Sequence, residues 1–224
     1  MKLESFMKTV AVIILCLLTI ATAWADSRLD RFEIAVRAFE IEHDDASLAK
    51  DATLFVGSSS IARWRTLAND IGISPVYSRG LNGAYIADII YFFERIVVPL
   101  QPRRIVFYCG ENDIYSGKSP AQVMSDFKTL VEKVKDSLPQ ARIFFLSLKP
   151  SPARWARWER MVQTNRLIQT YAKENNKLTY VDVSSLMFSS TGLPRDDIWA
   201  KDRLHINDQG YQLWARSINA VLER

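Results

Sequence analysis

The sequence predicts an α/β protein, a three-layer α/β/α fold around a five-stranded parallel sheet in the flavodoxin-like order 2-1-3-4-5. Three observations carry this prediction. Short apolar runs alternate with helix-patterned segments from Asp30 onward. The runs lack a strict polar–apolar alternation, as expected of strands covered by helices on both faces. Glycines and small polar residues follow the strands, at the sheet end where ligand sites of such folds lie.

The elements follow in order. Leu29, Phe32, Val36 and Phe39 recur at helical spacing, so an amphipathic helix over about residues 28–42 opens the fold. Thr53 to Val56 is a buried strand and Val76 to Ser78 a short second one. Ala84 to Val98 is helical, and Arg104 to Cys109 is the third strand. Ser119 and Pro120 start a helix, as cap and first-turn residue, that runs to about Leu138. Arg142 to Leu148 is a strand, Trp158 to Asn175 a helix, Leu178 to Val183 the fifth strand and Asp208 to Glu223 the last helix.

The 224 residues suit one domain, spanning 26–224, and no repeat, low-complexity tract or Gly/Ser linker divides it. A hydrophobic content of 48% with 24% charged residues supports a substantial core. The net charge of +4 is spread along the chain. That pattern suits solubility and attraction to anionic surfaces, and no nucleic-acid partner is expected.

The first 25 residues have the pattern of a signal peptide. Lys2 and Lys8 precede the apolar run from Val10 to Ala23, and Ala23-Trp-Ala25 offers small residues for cleavage after Ala25. Met7 would also serve as a start. The run is short for a membrane span. A periplasmic or secreted protein is expected, with no membrane span after cleavage. Past Ala25 only Cys109 remains, so no disulfide within the chain is possible there.

The chemistry centres on Lys201-Asp-Arg-Leu-His-Ile-Asn207. His205 is one of two histidines, and Asp202 stands three residues before it. A carboxylate so placed can orient the imidazole and leave its other nitrogen free as a base. Leu54-Phe-Val-Gly-Ser-Ser-Ser-Ile61 offers a serine nucleophile after the first strand. Gly57, Gly80, Gly83 and Gly110 all fall at strand ends, where each is a turn or lets backbone approach a substrate.

This set resembles the SGNH (GDSL-type) hydrolase family over about residues 30–224. The matching blocks are Phe55-Val-Gly-Ser-Ser-Ser60, Arg79-Gly-Leu-Asn-Gly83, Gly110-Glu-Asn-Asp113 and Asp202-Arg-Leu-His205. Ser147-Leu-Lys-Pro-Ser-Pro-Ala-Arg-Trp155 is similar to a subgroup of the family. The resemblance implies the SGNH hydrolase fold and a serine esterase that uses no cofactor and no metal, and the leader pattern makes it an exported one. It puts the triad on Ser59, His205 and Asp202, and the oxyanion donors on the Ser59 and Gly83 N–H groups and the Asn112 amide. Ser58 stands where the family usually has Asp, and Ser78 where its second block often begins with Asn. Ser58 and Ser60 flank the nucleophile, and Ser58 is the next candidate for that role.

The implied substrate is a carboxylic ester, of a small molecule, glycan or lipid, with a short acyl group such as acetyl. Turnover is expected to rise with pH through roughly 6 to 7, as the base becomes neutral. The alternatives are a lysophospholipase or lipase of the same fold, and a glycan-binding module without turnover. Arg154 and Trp155, after the fourth strand, line a substrate loop, meet an anionic polymer, or lead into a helix with packed tryptophans and solvated arginines. Glu111 and Asp113 suit helix-start and turn roles better than metal binding. His43 is expected as a solvated surface group, and Cys109 as a buried, inert thiol.

Overall fold

The structure is a computed structural model and describes residues 29–43 and 51–222. The expected signal segment and its cleavage site lie outside the described residues. Helix α1 spans residues 29–43. Phe32 and Val36 are its buried stripe, and Phe39 packs against the same core.

The strands are β1 (Thr53–Gly57), β2 (Val76–Gly80), β3 (Arg104–Tyr108), β4 (Arg142–Leu146) and β5 (Leu178–Val181), all parallel in the order β2-β1-β3-β4-β5. The expected order is therefore the observed one. The strands end earlier than their apolar runs: β3 stops at Tyr108, β4 at Leu146 and β5 at Val181. Cys109, Leu148 and Val183 are buried beyond those ends, so burial continues the apolar pattern after the ladder has stopped.

The main helices are α4 (Ile86–Ile96), α6 (Pro120–Ser137), α7 (Trp158–Lys173) and α8 (Asp208–Leu222). Helix α6 starts as its residues require: Ser119 Oγ accepts the Gln122 N–H, and Gln122 Oε1 accepts the Ser119 N–H. Two short helices, α2 (Ser59–Ala62) and α3 (Leu67–Asp70), fall where the sequence pattern assigns no element, and a third, α5 (Glu111–Tyr115), begins at the residue expected in a helix-start or turn role. They are too brief for a 3.6-residue period to stand out.

Adjacent residues of β3 show the two covered faces. Phe107 stacks on Phe127 of α6 at 5.8 Å, and Tyr108 meets Trp214 of α8 at 4.7 Å. Helices α4, α6 and α7 pack side by side in one layer, and α3 packs with α8 in the other. Helix α1 joins the α4 side through Phe32 against Phe92 and through Arg95, which binds Glu33 and Glu40.

Candidate active site

The carboxyl end of β1 runs directly into the site. Gly57 has φ +152°, and a Cβ there would lie 2.0 Å from the Tyr108 carbonyl oxygen. Only glycine lets β1 turn this close to β3. The Ser58 N–H donates to that same carbonyl at 2.9 Å, and α2 begins at Ser59. The first N–H groups of a helix have no partner within it. In α2 the Ile61 and Ala62 N–H groups bond the Ser58 carbonyl, and the Ser59 and Ser60 N–H groups precede that first bond.

The loop before α8 brings Asp202 and His205 to Ser59. His205 Nε2 lies 2.9 Å from Ser59 Oγ, and His205 Nδ1 lies 2.6 Å from Asp202 Oδ2. Asp202 Oδ1 also accepts the N–H groups of Leu204 and His205, at 3.0 and 2.9 Å. The carboxylate can only accept, so Nδ1 carries the proton and Nε2 accepts from the serine hydroxyl. Burial would raise the Asp202 carboxyl, but these hydrogen bonds hold it well below the usual range. Burial lowers the His205 imidazole, and the Asp202 hydrogen bond opposes that only in part. The histidine is thus poised neutral, with a lone pair facing the hydroxyl.

Gly83 and Asn112 complete the constellation. Gly83 follows β2 with φ +75°, and its carbonyl accepts from Arg31 of α1 at 3.0 Å. Asn112, in α5, donates from Nδ2 to the Ala84 carbonyl at 2.9 Å and approaches Ser58 Oγ at 3.5 Å. Its Oδ1 accepts from Arg154 Nη2 at 2.9 Å. The structure therefore gathers Ser59, Asp202, His205, Gly83, Asn112 and Arg154 at the carboxyl end of the sheet. Ser58 is buried against Asn112, and the imidazole contacts Ser59.

Trp155 stands 37% exposed at the rim and stacks parallel to Trp158 at 6.1 Å, with Phe188 beside both. The expected alternatives for this loop thus divide by residue. The tryptophans pack on one another, while Arg154 is half-buried against Asn112, its side chain 12% exposed, instead of being solvated.

Sequence reasoning missed a buried charge cluster under the site. Lys149, 1% exposed, reaches Glu111 with its ammonium, and also Tyr108 Oη and Ser60 Oγ, each at 3.2 Å. Tyr108 Oη and Ser151 Oγ donate to Glu111, each at 2.9 Å. Burial alone would raise the Glu111 carboxyl, but Lys149 and Arg154 outweigh it and keep it ionised. Burial pushes the Lys149 ammonium down, and Glu111 resists that. Glu111 is therefore more than a helix-start residue. The available signal was a lysine and a glutamate both placed just beyond buried strands.

Two other expectations are also revised or refined. His43 is not a free surface group, because its Nε2 lies 3.3 Å from Arg79 Nε, a guanidinium buried between Phe39 and Tyr77. Asp113 accepts the Ile86 N–H and pairs with Lys118, so it ties α5 to the start of α4. Among the described residues no group of three His, Cys, Asp or Glu converges as metal ligands, and no helix is long and apolar enough to cross a membrane.

The GDSL-like Lipase/Acylhydrolase family model matches residues 49–213. The human platelet-activating factor acetylhydrolase IB subunit alpha1 is 24% identical over 206 residues, with 84% of each chain covered. A Streptococcus pneumonia structure named after platelet activating factor superposes with a TM-score of 0.77 at 19% identity, covering 91% of this chain and 99% of that one. A variant of an acetyl-xylooligosaccharide esterase from Geobacillus Stearmophilus gives 0.63 at 19% identity, covering 76% and 94%.

Proposed function

The chain belongs to the GDSL-like lipase/acylhydrolase family, whose members hydrolyse esters, and we propose that it does so with Ser59 as nucleophile, His205 as base and Asp202 as the group that orients the base. The observation that carries this reading is the unbroken contact from Ser59 Oγ through His205 to Asp202.

The steps follow from those contacts. His205 Nε2 takes the Ser59 proton as Oγ attacks the ester carbonyl. The carbonyl oxygen becomes an oxyanion, which the Ser59 and Gly83 N–H groups and the Asn112 amide stabilise. His205 passes its proton to the leaving alcohol, and an acyl group remains on Ser59. Water then attacks with His205 again as base, releasing the acid and restoring the serine. Asp202 stabilises the imidazolium in both halves.

The substrate is a carboxylic ester with a short acyl group such as acetyl. The names of the human acetylhydrolase subunit and the Geobacillus acetyl esterase support this preference. Family membership favours an enzyme over a glycan-binding module. The basic–apolar–Ala-x-Ala pattern before Asp26 supports export to the periplasm or beyond.

Labelling with a fluorophosphonate tests the assignment. A covalent adduct mapped by mass spectrometry to Ser59 is expected. An adduct on Ser58 or Ser60 would move the nucleophile, and a chain that hydrolyses esters without labelling would overturn the serine mechanism.

A further inference from the structure

We propose that Arg154 is a positioning residue of this site, gripping Asn112 and Glu111 with one guanidinium so that the Asn112 amide presents its N–H groups to the nucleophile turn. The inference rests on the reading of Ser59 and Asn112 given above. It concerns a residue that contacts neither Ser59 nor His205 in the structure.

The geometry begins with the amide itself. An arginine only donates, so the Asn112 atom facing Arg154 Nη2 at 2.9 Å must be the carbonyl oxygen. That fixes the opposite edge of the amide as NH2. One of its hydrogens goes to the Ala84 carbonyl at 2.9 Å. The other points toward Ser58 Oγ, whose 3.5 Å separation is too long for a good hydrogen bond. This second hydrogen is the one available to a developing oxyanion. A charge-assisted bond to Oδ1 also withdraws electrons from the amide and strengthens it as a donor.

Arg154 is itself held on every side. Nη1 lies 3.6 Å from Glu111 Oε1, and the guanidinium sits 4.5 Å above the Tyr115 ring. Its backbone N–H donates to Ser151, and Ala153 N–H donates to Arg203, next to Asp202. The segment Pro152–Arg157 is a 3-10 turn that breaks at Arg154, with φ −121° and ψ 21°. Glu111 in turn is anchored by Lys149, Tyr108 and Ser151. Lys149 also holds Ser60, the residue after the nucleophile. One cluster of two cations and one carboxylate, buried at Lys149 and Glu111 and half-buried at Arg154, thus joins the Ser59 turn to Asn112. Its net positive charge lies beside the place where negative charge develops, which favours the transition state.

The test is a double-mutant cycle on p-nitrophenyl acetate hydrolysis, with the wild type, Arg154→Ala, Asn112→Ala and the pair. If Arg154 acts through Asn112, Arg154→Ala lowers kcat about tenfold or more with KM nearly unchanged, and adds little in the Asn112→Ala background. Losses that multiply in the double variant overturn the proposal. So does a rise in KM with kcat intact, which would make Arg154 a ground-state substrate contact. Arg154→Lys guards against a folding defect, because it keeps the charge but not the fork. It should fold as the wild type does and still lose kcat, and full activity there also overturns the proposal. Ser59→Ala in the same assay separates the two claims. Turnover retained without Ser59 defeats the serine reading, whereas an inactive Ser59→Ala with multiplying Arg154 and Asn112 losses defeats the Arg154 assignment alone.

Discussion

Ser59 and His205, 146 positions apart in the sequence, meet at 2.9 Å between Oγ and Nε2. Two strand-end features make that meeting possible. Gly57 lets β1 turn against the Tyr108 carbonyl, and the loop before α8 folds back over the same sheet end.

The pH dependence follows from the burial of His205. Burial lowers its pKa from the ordinary histidine value, and the Asp202 hydrogen bond restores only part of that. The base must be neutral, so kcat/KM rises with pH and its midpoint lies on the acid side of the ordinary value of about 6.5. Activity at pH 7 is then closer to its plateau than an ordinary histidine would give. A midpoint above 7 in a pH–rate profile would contradict this environment for His205.

Asp202→Asn removes the charge but keeps the size. An amide can donate to Nδ1 and select the wrong tautomer, so kcat should fall by about 10²–10⁴. Because Asp202 raises the His205 pKa, whatever activity remains should show a midpoint moved further to acid. Steady-state kinetics across pH measures both effects. Unchanged kcat would remove Asp202 from the mechanism.

Lys149→Met leaves the Glu111 carboxylate buried with a weaker set of partners. Breaking a buried ion pair by removing one member costs about 3–5 kcal/mol. Urea unfolding should therefore show a lower midpoint with an unchanged slope. Glu111→Leu added to Lys149→Met should recover part of the loss, since an apolar pair replaces an orphaned charge. A fully stable Lys149→Met would show that the cluster does not depend on the pair.

Gly57→Ala tests the turn that delivers Ser59. The new methyl would meet the Tyr108 carbonyl at 2.0 Å, on a backbone with φ +152°. The expected cost is about 3 kcal/mol or more, read by thermal or urea unfolding. A stable, active Gly57→Ala would mean that β1 and β3 can separate at this point without harm.

Much of the molecule was legible from sequence because its signals are local. Apolar runs separated by helix periods gave all five strands and the order β2-β1-β3-β4-β5. Ser119 and Pro120 marked the start of α6. Ser59, Gly83 and Asn112 lie in short blocks just past β1, β2 and β3, and Asp202 and His205 in a block before α8; the resemblance of those blocks to one family singled them out. The Lys149–Glu111–Arg154 cluster did not stand out. Glu111 lies 38 positions before Lys149 and 43 before Arg154, on β-strand exits whose convergence depends on strand order and loop shape. A lone lysine or glutamate in a sequence is ordinarily a solvated charge, and only burial shows otherwise. His43 was misjudged for the same reason, since its partner Arg79 lies in a different element.

The most direct measurement is hydrolysis of p-nitrophenyl esters from acetate to palmitate by the chain from Asp26 onward, compared with Ser59→Ala and Ser58→Ala. Catalysis by Ser59 predicts turnover that is fastest on acetate, is lost by more than about 10³ in Ser59→Ala, and stays within about tenfold of wild type in Ser58→Ala. Turnover that survives in Ser59→Ala, or that disappears only in Ser58→Ala, would contradict it.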